Sequence, residues 1–230
     1  MNRNQIKYIA AAAMLVDHIA WLFVTPFTPA WQIMHFIGRF TGPTMAVLIA
    51  EGYRYTNDVD RYTLRLGLFA VISWPCFSLM ETGRIEPAFG VIYTLFLALL
   101  AIRLCDADCS IVLKVLGVGG LCVLSIYGDW PVFDIIFALV AHLFYEKKAL
   151  RWTLHCAVSV CSVIYSVTLY TSYGWPWSVA VYELGEFMVP LVFCLLYNGK
   201  GGSRHPFHKW FFYVFYPLHM LMLWYLEYIR

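Results

Sequence analysis

Lys7-Tyr-Ile-Ala-Ala-Ala-Ala-Met-Leu-Val-Asp17-His18-Ile-Ala-Trp21 is apolar enough for a membrane-spanning helix, yet it carries an acid and an imidazole side by side in its interior. Ionisable side chains inside a bilayer cost about 3 kcal/mol each on insertion scales, so they face a protein interior or a watery cavity and mark function. By helix rise, His18 lies about 17 Å along the axis from Lys7, past the middle of a hydrocarbon core ~30 Å thick. A cation thus stands at one mouth of the span and a titratable imidazole deep within it. That is the arrangement of an active site approached through the membrane.

Outward from this stretch the chain keeps the same character. It is 61% hydrophobic and 13% charged, against roughly 25% charged in an ordinary soluble domain. Apolar runs of spanning length recur from end to end, which excludes a sizeable soluble domain and predicts an all-α, polytopic transmembrane helix bundle forming one domain over residues 1–230. The seven cysteines (76, 105, 109, 122, 156, 161, 194) include no Cys-x-x-Cys pair. Most fall in apolar spans, where Cys acts as a small hydrophobe, so neither a disulfide framework nor a zinc site is expected. Arg3 and Lys7 ahead of an apolar run imitate a signal peptide, but Asp17-His18 interrupts the run and no small-x-small cleavage site follows. The segment is expected to be retained as the first span.

Spans are predicted at about 5–25, 34–53, 62–80, 88–104, 110–127, 131–146, 152–170, 176–197 and 208–228, nine in all within a range of eight to ten. Pro and Gly punctuate the joints, among them Pro26, Pro29, Gly83, Pro87, Gly128, Pro131, Gly174, Pro176 and Gly199-Lys-Gly-Gly202. With the N-terminus inside, inner segments collect Arg3, Lys7, Arg54, Arg61, Arg65, Arg103, Lys114, Lys147, Lys148, Arg151, Lys200, Arg204 and Lys209. Outer segments keep Arg84 and Arg230, while Arg39 falls within a span. This bias obeys the positive-inside rule. No repeat is strong enough to argue an inverted-repeat transporter.

Further ionisable residues fall at span depth. Arg39 is close in depth to His18 and either snorkels to the outer interface or pairs with Asp17 and stabilises an oxyanion. Neighbours on a helix point about 100° apart, so Asp17 cannot easily orient His18 and is expected to bind Arg39 or a neighbouring helix. Glu51 and Arg54, three apart, suit a pair with each other. Glu183 and Glu186, also three apart, share one face of the eighth span and are expected to face a cavity as acceptor ligands, partners of Arg39 or support for His18. His219 follows Tyr216-Pro217 in the last span, and a cavity role is favoured for it over interhelical bonding. His205-Pro-Phe-His208 reads as a solvated basic loop rather than a metal site. Trp21, Trp31, Trp130, Trp175 and Trp177 cluster at outer ends, as an interfacial belt does.

Four stretches, taken in order, resemble the TraX family, named for an acetylase of pilin subunits, and more distantly the acyltransferase-3 membrane enzymes. Met14-Leu-Val-Asp17-His18 matches the TraX-type M-x-x-D-H of the first helix. Lys7 and His18 have the superfamily spacing of a basic residue, ten positions and a His, with Lys for the more usual Arg. Gly38-Arg39-Phe-Thr-Gly-Pro43 with Glu51-Gly-Tyr-Arg-Tyr-Thr56 resembles the family's G-R-x-x-x-P and E-G-Y-x-x-T elements. Arg61-Tyr-Thr-Leu-Arg65 is similar to the basic opening of its third helix, and Tyr213-Val-Phe-Tyr216-Pro217-Leu-His219 to its terminal Y-x-x-Y-P-x-H. The matches cover the first third of the chain and its last helix.

The resemblance implies acyl transfer, acetyl above all, from cytosolic acyl-CoA to a hydroxyl or amine at the outer side of the cell membrane. The acceptor would be a glycan, a lipid or a protein N-terminus. On this reading Lys7, with Arg54, Arg61 or Arg65, holds the nucleotide of acetyl-CoA. His18 is general base, and Arg39 or a helix dipole stabilises the tetrahedral oxyanion. No metal and no nucleic-acid partner are expected; the lipid bilayer is the surrounding medium. The rival reading is a proton-coupled small-molecule transporter using Asp17, His18, Glu183 and Glu186 as a relay. A third is a non-catalytic membrane subunit.

Overall fold

In the computed structural model, residues 1–203 and 205–228 are described; Arg204 and Arg230, assigned above to inner and outer segments, lie outside them. Helix stands in each of the nine stretches where a span was expected. Among the described residues there is no strand, and Phe89 and Gly128 form an isolated bridge. Five helical stretches are long and apolar enough to cross a membrane: Arg3–Phe23, Pro29–Tyr55, Val59–Thr82, Lys148–Ser172 and Trp177–Leu195. Ile111–Tyr127 and Phe133–Leu143 are apolar but shorter.

The chain divides into two compact units, one of Met1–Thr44 with Lys147–Phe212, the other of Met45–Glu146 with the segment from Tyr213. In the first unit α1 (Arg3–Phe23) starts at Asn2, whose side chain and that of Gln5 form a reciprocal capping box. α2 (Pro29–Gly38) starts with Pro at its first position, and the Thr28 hydroxyl accepts from the Trp31 amide at 3.3 Å. The expected second span is one rod broken at Arg39–Phe40, after which α3 (Thr41–Tyr55) continues. Pro43 explains the break, since it has no N–H to give the carbonyl of Arg39 four residues earlier.

α8 (Lys148–Ser172) is inverted relative to a helix of a water-soluble protein. Its buried residues are Arg151, Trp152, His155, Ser159, Ser162 and Ser166, while Leu150, Val160 and Ile164 are exposed. The expected eighth span is not an α-helix throughout. Trp177–Phe187 is a 3₁₀ helix, and only α9 (Met188–Leu195) that follows it is α. Burial follows the three-residue period of that helix. Val179, Tyr182 and Gly185 form one buried row, Ala180, Glu183 and Glu186 a second, and Val181 with Leu184 lie exposed on the third.

The second unit holds α4 (Val59–Thr82), α5 (Val91–Asp106), α6 (Ile111–Leu124) and α7 (Phe133–Leu143). It also takes the later part of α10 (Pro206–Tyr228). Its centre is α5, with Leu97, Ala98, Leu99, Ala101 and Ile102 buried. The Tyr216 hydroxyl accepts from the Val91 amide at 3.1 Å, satisfying an orphan donor at the start of α5. Arg65 donates from Nε to the Tyr213 hydroxyl at 3.1 Å. The terminal Tyr-x-x-Tyr stretch therefore works here as a structural tie. Tyr216→Phe is expected to lower stability by about 1 kcal/mol, the worth of one hydrogen bond, as read from thermal unfolding in detergent. No change in midpoint would remove Tyr216 as a cap.

Candidate active site

The site is built in the first unit from α1, α2, the 3₁₀ helix and α8. Trp31 and His35 on α2 and Arg39 at its C-cap recur at i, i+4 and i+8 and so share one face. His35 is fully buried, and its Nδ1 lies 2.7 Å from Oδ1 of Asp17 on α1. An ionised carboxylate only accepts, so the bond requires the proton on Nδ1, and in the neutral imidazole Nε2 is then the bare nitrogen. Among the described residues Nε2 has no hydrogen-bond partner. Aromatic rings wall it: Trp31 is edge-on at 4.3 Å between ring centroids, with Tyr182 at 5.2 Å and Trp21 at 5.9 Å.

Two glycines make this geometry fit. A Cβ on Gly38 would overlap the Asp17 carboxylate, so the acid reaches His35 through the space that Gly38 leaves. A Cβ on Gly185 would overlap the backbone carbonyl of Phe36 and meet Cβ of Arg39 at 3.0 Å, so the 3₁₀ helix lies directly against the end of α2. Gln32 ties the same two elements near their aromatic ends, donating to the carbonyls of Ser178 and Val179 at 3.3 and 3.2 Å.

Below the aromatic wall lies an ionic layer. Arg39 Nε is 3.4 Å from Oε2 of Glu183, and the guanidinium stands 4.9 Å from the centroid of the Tyr182 ring. The Tyr182 hydroxyl is bonded to that of Tyr170. Ser166 donates to Glu183 Oε1 at 3.0 Å, and Ser162 to Glu186 Oε1 at 2.7 Å. The register follows from helix geometry. Three residues of 3₁₀ helix rise about 6 Å, as do four residues of α-helix, so Glu183 and Glu186 meet Ser166 and Ser162 in antiparallel order. His18 is buried as well and lies within electrostatic reach of Asp17, His35 and Arg39.

The structure thus brings together Asp17, His18, Arg39, Glu183 and Glu186, all named from the sequence. Asp17 reaches a neighbouring helix, whose partner residue His35 the sequence reading passed over. Lys7 is in the same unit, with its ammonium 5.5 Å from the Phe212 ring centroid. Arg54, Arg61, Arg65 and His219 belong to the second unit. There Arg54 pairs with Glu146 and Arg61 with Asp58, while His219 Nδ1 bonds the Phe215 carbonyl at 2.8 Å. His208 lies in the first turns of α10 rather than in a loop and bonds the Tyr8 hydroxyl at 2.9 Å. Trp31, expected as part of an interfacial belt, is buried against His35.

The family model described as TraX protein matches residues 2–227. Over 239 aligned residues, 97% of each chain, the sequence is 31% identical to the "Probable fimbrial assembly protein FimC, serogroup H1" of Dichelobacter nodosus. No solved structure matches the chain.

Proposed function

Because the chain belongs to the TraX family, we propose that it is an integral membrane acyltransferase that moves an acetyl group from cytosolic acetyl-CoA to a hydroxyl or amine at the outer side. The observation that carries this reading is the layer of Asp17, His35, Arg39 and Glu183, in which His35 and Glu183 are buried and Asp17 and Arg39 partly so. It places an imidazole and a guanidinium in one preset geometry inside a unit whose exposed helix faces are apolar. An acyl transfer needs those two groups: a base for the acceptor proton and a cation for the oxyanion of the tetrahedral intermediate. Ionic groups held in this way need no reorganisation when charge develops.

The topology of this proposal has nine spans in the cell membrane, with the N-terminus inside and the C-terminus outside. Lys7 then stands at the inner mouth as a contact for the phosphates of the donor, and Arg54, Arg61 and Arg65 fall in inner segments. The acceptor is a glycan, a lipid or a protein N-terminus. The fimbrial assembly named for the Dichelobacter relative makes an exported filament subunit one such acceptor. The test is release of CoA thiol from acetyl-CoA, coupled to acetyl transfer, by the purified full chain in lipid nanodiscs. Lys7→Gln is expected to raise KM for acetyl-CoA about tenfold, the equivalent of ~1.4 kcal/mol, with kcat largely spared. Lys7→Arg should be milder, since Arg binds phosphate at least as well. Unchanged KM in Lys7→Gln moves the donor site elsewhere.

A second reading, proton-coupled transport, is favoured by the polar row His155, Ser159, Ser162 and Ser166 along α8, facing Glu183 and Glu186. Substrate counterflow without acetyl-CoA turnover would select it.

A further inference from the structure

We propose that the proton acceptor of this site is Nε2 of His35, with Asp17 as its positioning residue, and that it acts on an acceptor hydroxyl or neutral amine. The inference rests on the acyltransferase reading and deepens it, since that reading requires a buried base and two imidazoles, His18 and His35, lie in the cluster.

Three observations choose between them. First, His35 is held by the acid: Asp17 Oδ1 is 2.7 Å from its Nδ1, whereas Asp17 and His18, successive on one helix, project about 100° apart. A carboxylate on Nδ1 fixes the tautomer, orients the ring and stabilises the imidazolium that forms when Nε2 takes a proton. Second, Nε2 is fully buried with no hydrogen-bond partner among the described residues. Buried polar atoms are almost always paired, and leaving an acceptor bare is costly, so a bare nitrogen inside a packed aromatic wall is in place for a donor that arrives with substrate. Third, the wall leads to an exposed end. His35 lies about 9 Å by helix rise from the start of α2 at Pro29. Beyond it Phe27 packs on the buried Trp31 and on Trp175, and Phe27 and Trp175 are about half exposed. An acceptor entering there meets Nε2 before it meets the ionic layer.

The step balances without a further reagent. His35 Nε2 removes the proton from the acceptor O–H or N–H as its lone pair forms a bond to the thioester carbonyl carbon. The oxyanion develops beside Arg39. Its collapse breaks the C–S bond, the sulfur leaves with the bonding pair, and the imidazolium returns the proton to it. The products are an acetyl ester or amide and CoA thiol.

The test compares His35→Gln, His18→Gln and Asp17→Asn with the wild-type full chain in phosphatidylethanolamine-containing nanodiscs, with water, glucosamine and an N-terminally free peptide as further acceptors. His35→Gln is expected to lower kcat by about 10²–10⁴-fold at unchanged KM for acetyl-CoA. Asp17→Asn should give a loss of the same order with the same split, and His18→Gln a loss of at most about tenfold. A wild-type chain that turns over no acetyl-CoA sinks the acyltransferase reading itself, and the assignment with it. An active wild type with near-normal kcat in His35→Gln, or with a loss in His18→Gln as large as in His35→Gln, overturns the assignment alone. ¹⁵N spectra of histidine-labelled wild type are independent of whether the variants fold. A proton on Nδ1 and a bare Nε2 at His35 are expected, and the opposite tautomer overturns the dyad.

Discussion

Arg39→Met is expected to destabilise the protein by about 3–5 kcal/mol, the usual cost of removing one partner of a buried ion pair. The Glu183 side chain is 5% exposed and that of Arg39 17%, so water does not replace the lost guanidinium. Ser166 would still donate to Oε1 of Glu183, but a single hydroxyl does not offset an uncompensated buried charge. The effect should be non-additive. Arg39→Met with Glu183→Gln removes both charges, and the double variant should recover most of the loss, because a buried pair is worth little net against well-packed neutral groups. Thermal and denaturant unfolding in detergent give the four corners of the cycle. If Arg39→Met alone unfolds within about 1 kcal/mol of wild type, Arg39 is not the counter-ion of Glu183.

Gly38→Ala should strike both activity and stability. The new methyl would lie 2.1 Å from Oδ1 of Asp17 and 2.4 Å from its Cβ, so the carboxylate must swing aside and α1 and α2 must also part slightly. Swinging aside breaks its bond to His35 Nδ1. Transfer is therefore expected to fall by about 10²–10⁴-fold, the worth of a positioned general base, and the unfolding midpoint should fall with it. The mechanism makes a second demand. In an Asp17→Gly background, Gly38→Ala should cost no further activity, since the whole side chain it displaces is gone. Additive losses would show that Gly38 acts by some route other than Asp17.

Much of this site can be read in the sequence by type. Asp17 and His18 announce themselves as ionisable residues inside an apolar run, and Arg39, Glu183 and Glu186 do so by the same rule. What pairing each would form was less legible. His35 was passed over because a lone His near the predicted start of a span carries no local signal. Its place four residues after Trp31 and four before Arg39 was the clue, since that spacing lines all three along one helix face. The row Arg151, His155, Ser159, Ser162 and Ser166 was likewise written plainly in spacings of four, four, three and four. Serine is common enough in apolar spans that the row means little until Glu183 and Glu186 stand opposite it.

The 3₁₀ stretch could not be read at all. Residue types differ too little between 3₁₀ and α-helix, and the choice is made by tertiary contacts, here the close approach of Gly185 to Phe36. The break at Arg39 was legible through Pro43. Within the motif at the chain's end, Tyr213 and Tyr216 serve as acceptors for Arg65 and for the amide of Val91.

The pairing of a three-per-turn helix with a 3.6-per-turn helix behaves like two gears of unequal tooth count that mesh at one setting. Moving Trp177–Phe187 along by one residue would advance it by about 2 Å and turn it by 120°. That turn would carry the oily teeth, Val181 and Leu184, into the space that the two acids occupy opposite Ser162 and Ser166. No slippage by one or two residues restores the contact; only a full turn does. Single-residue insertions or deletions between Trp177 and Glu183 should consequently be far less tolerated than substitutions among the outward-facing teeth. Sequence drift in this segment is free on one side of the wheel and locked on the other two.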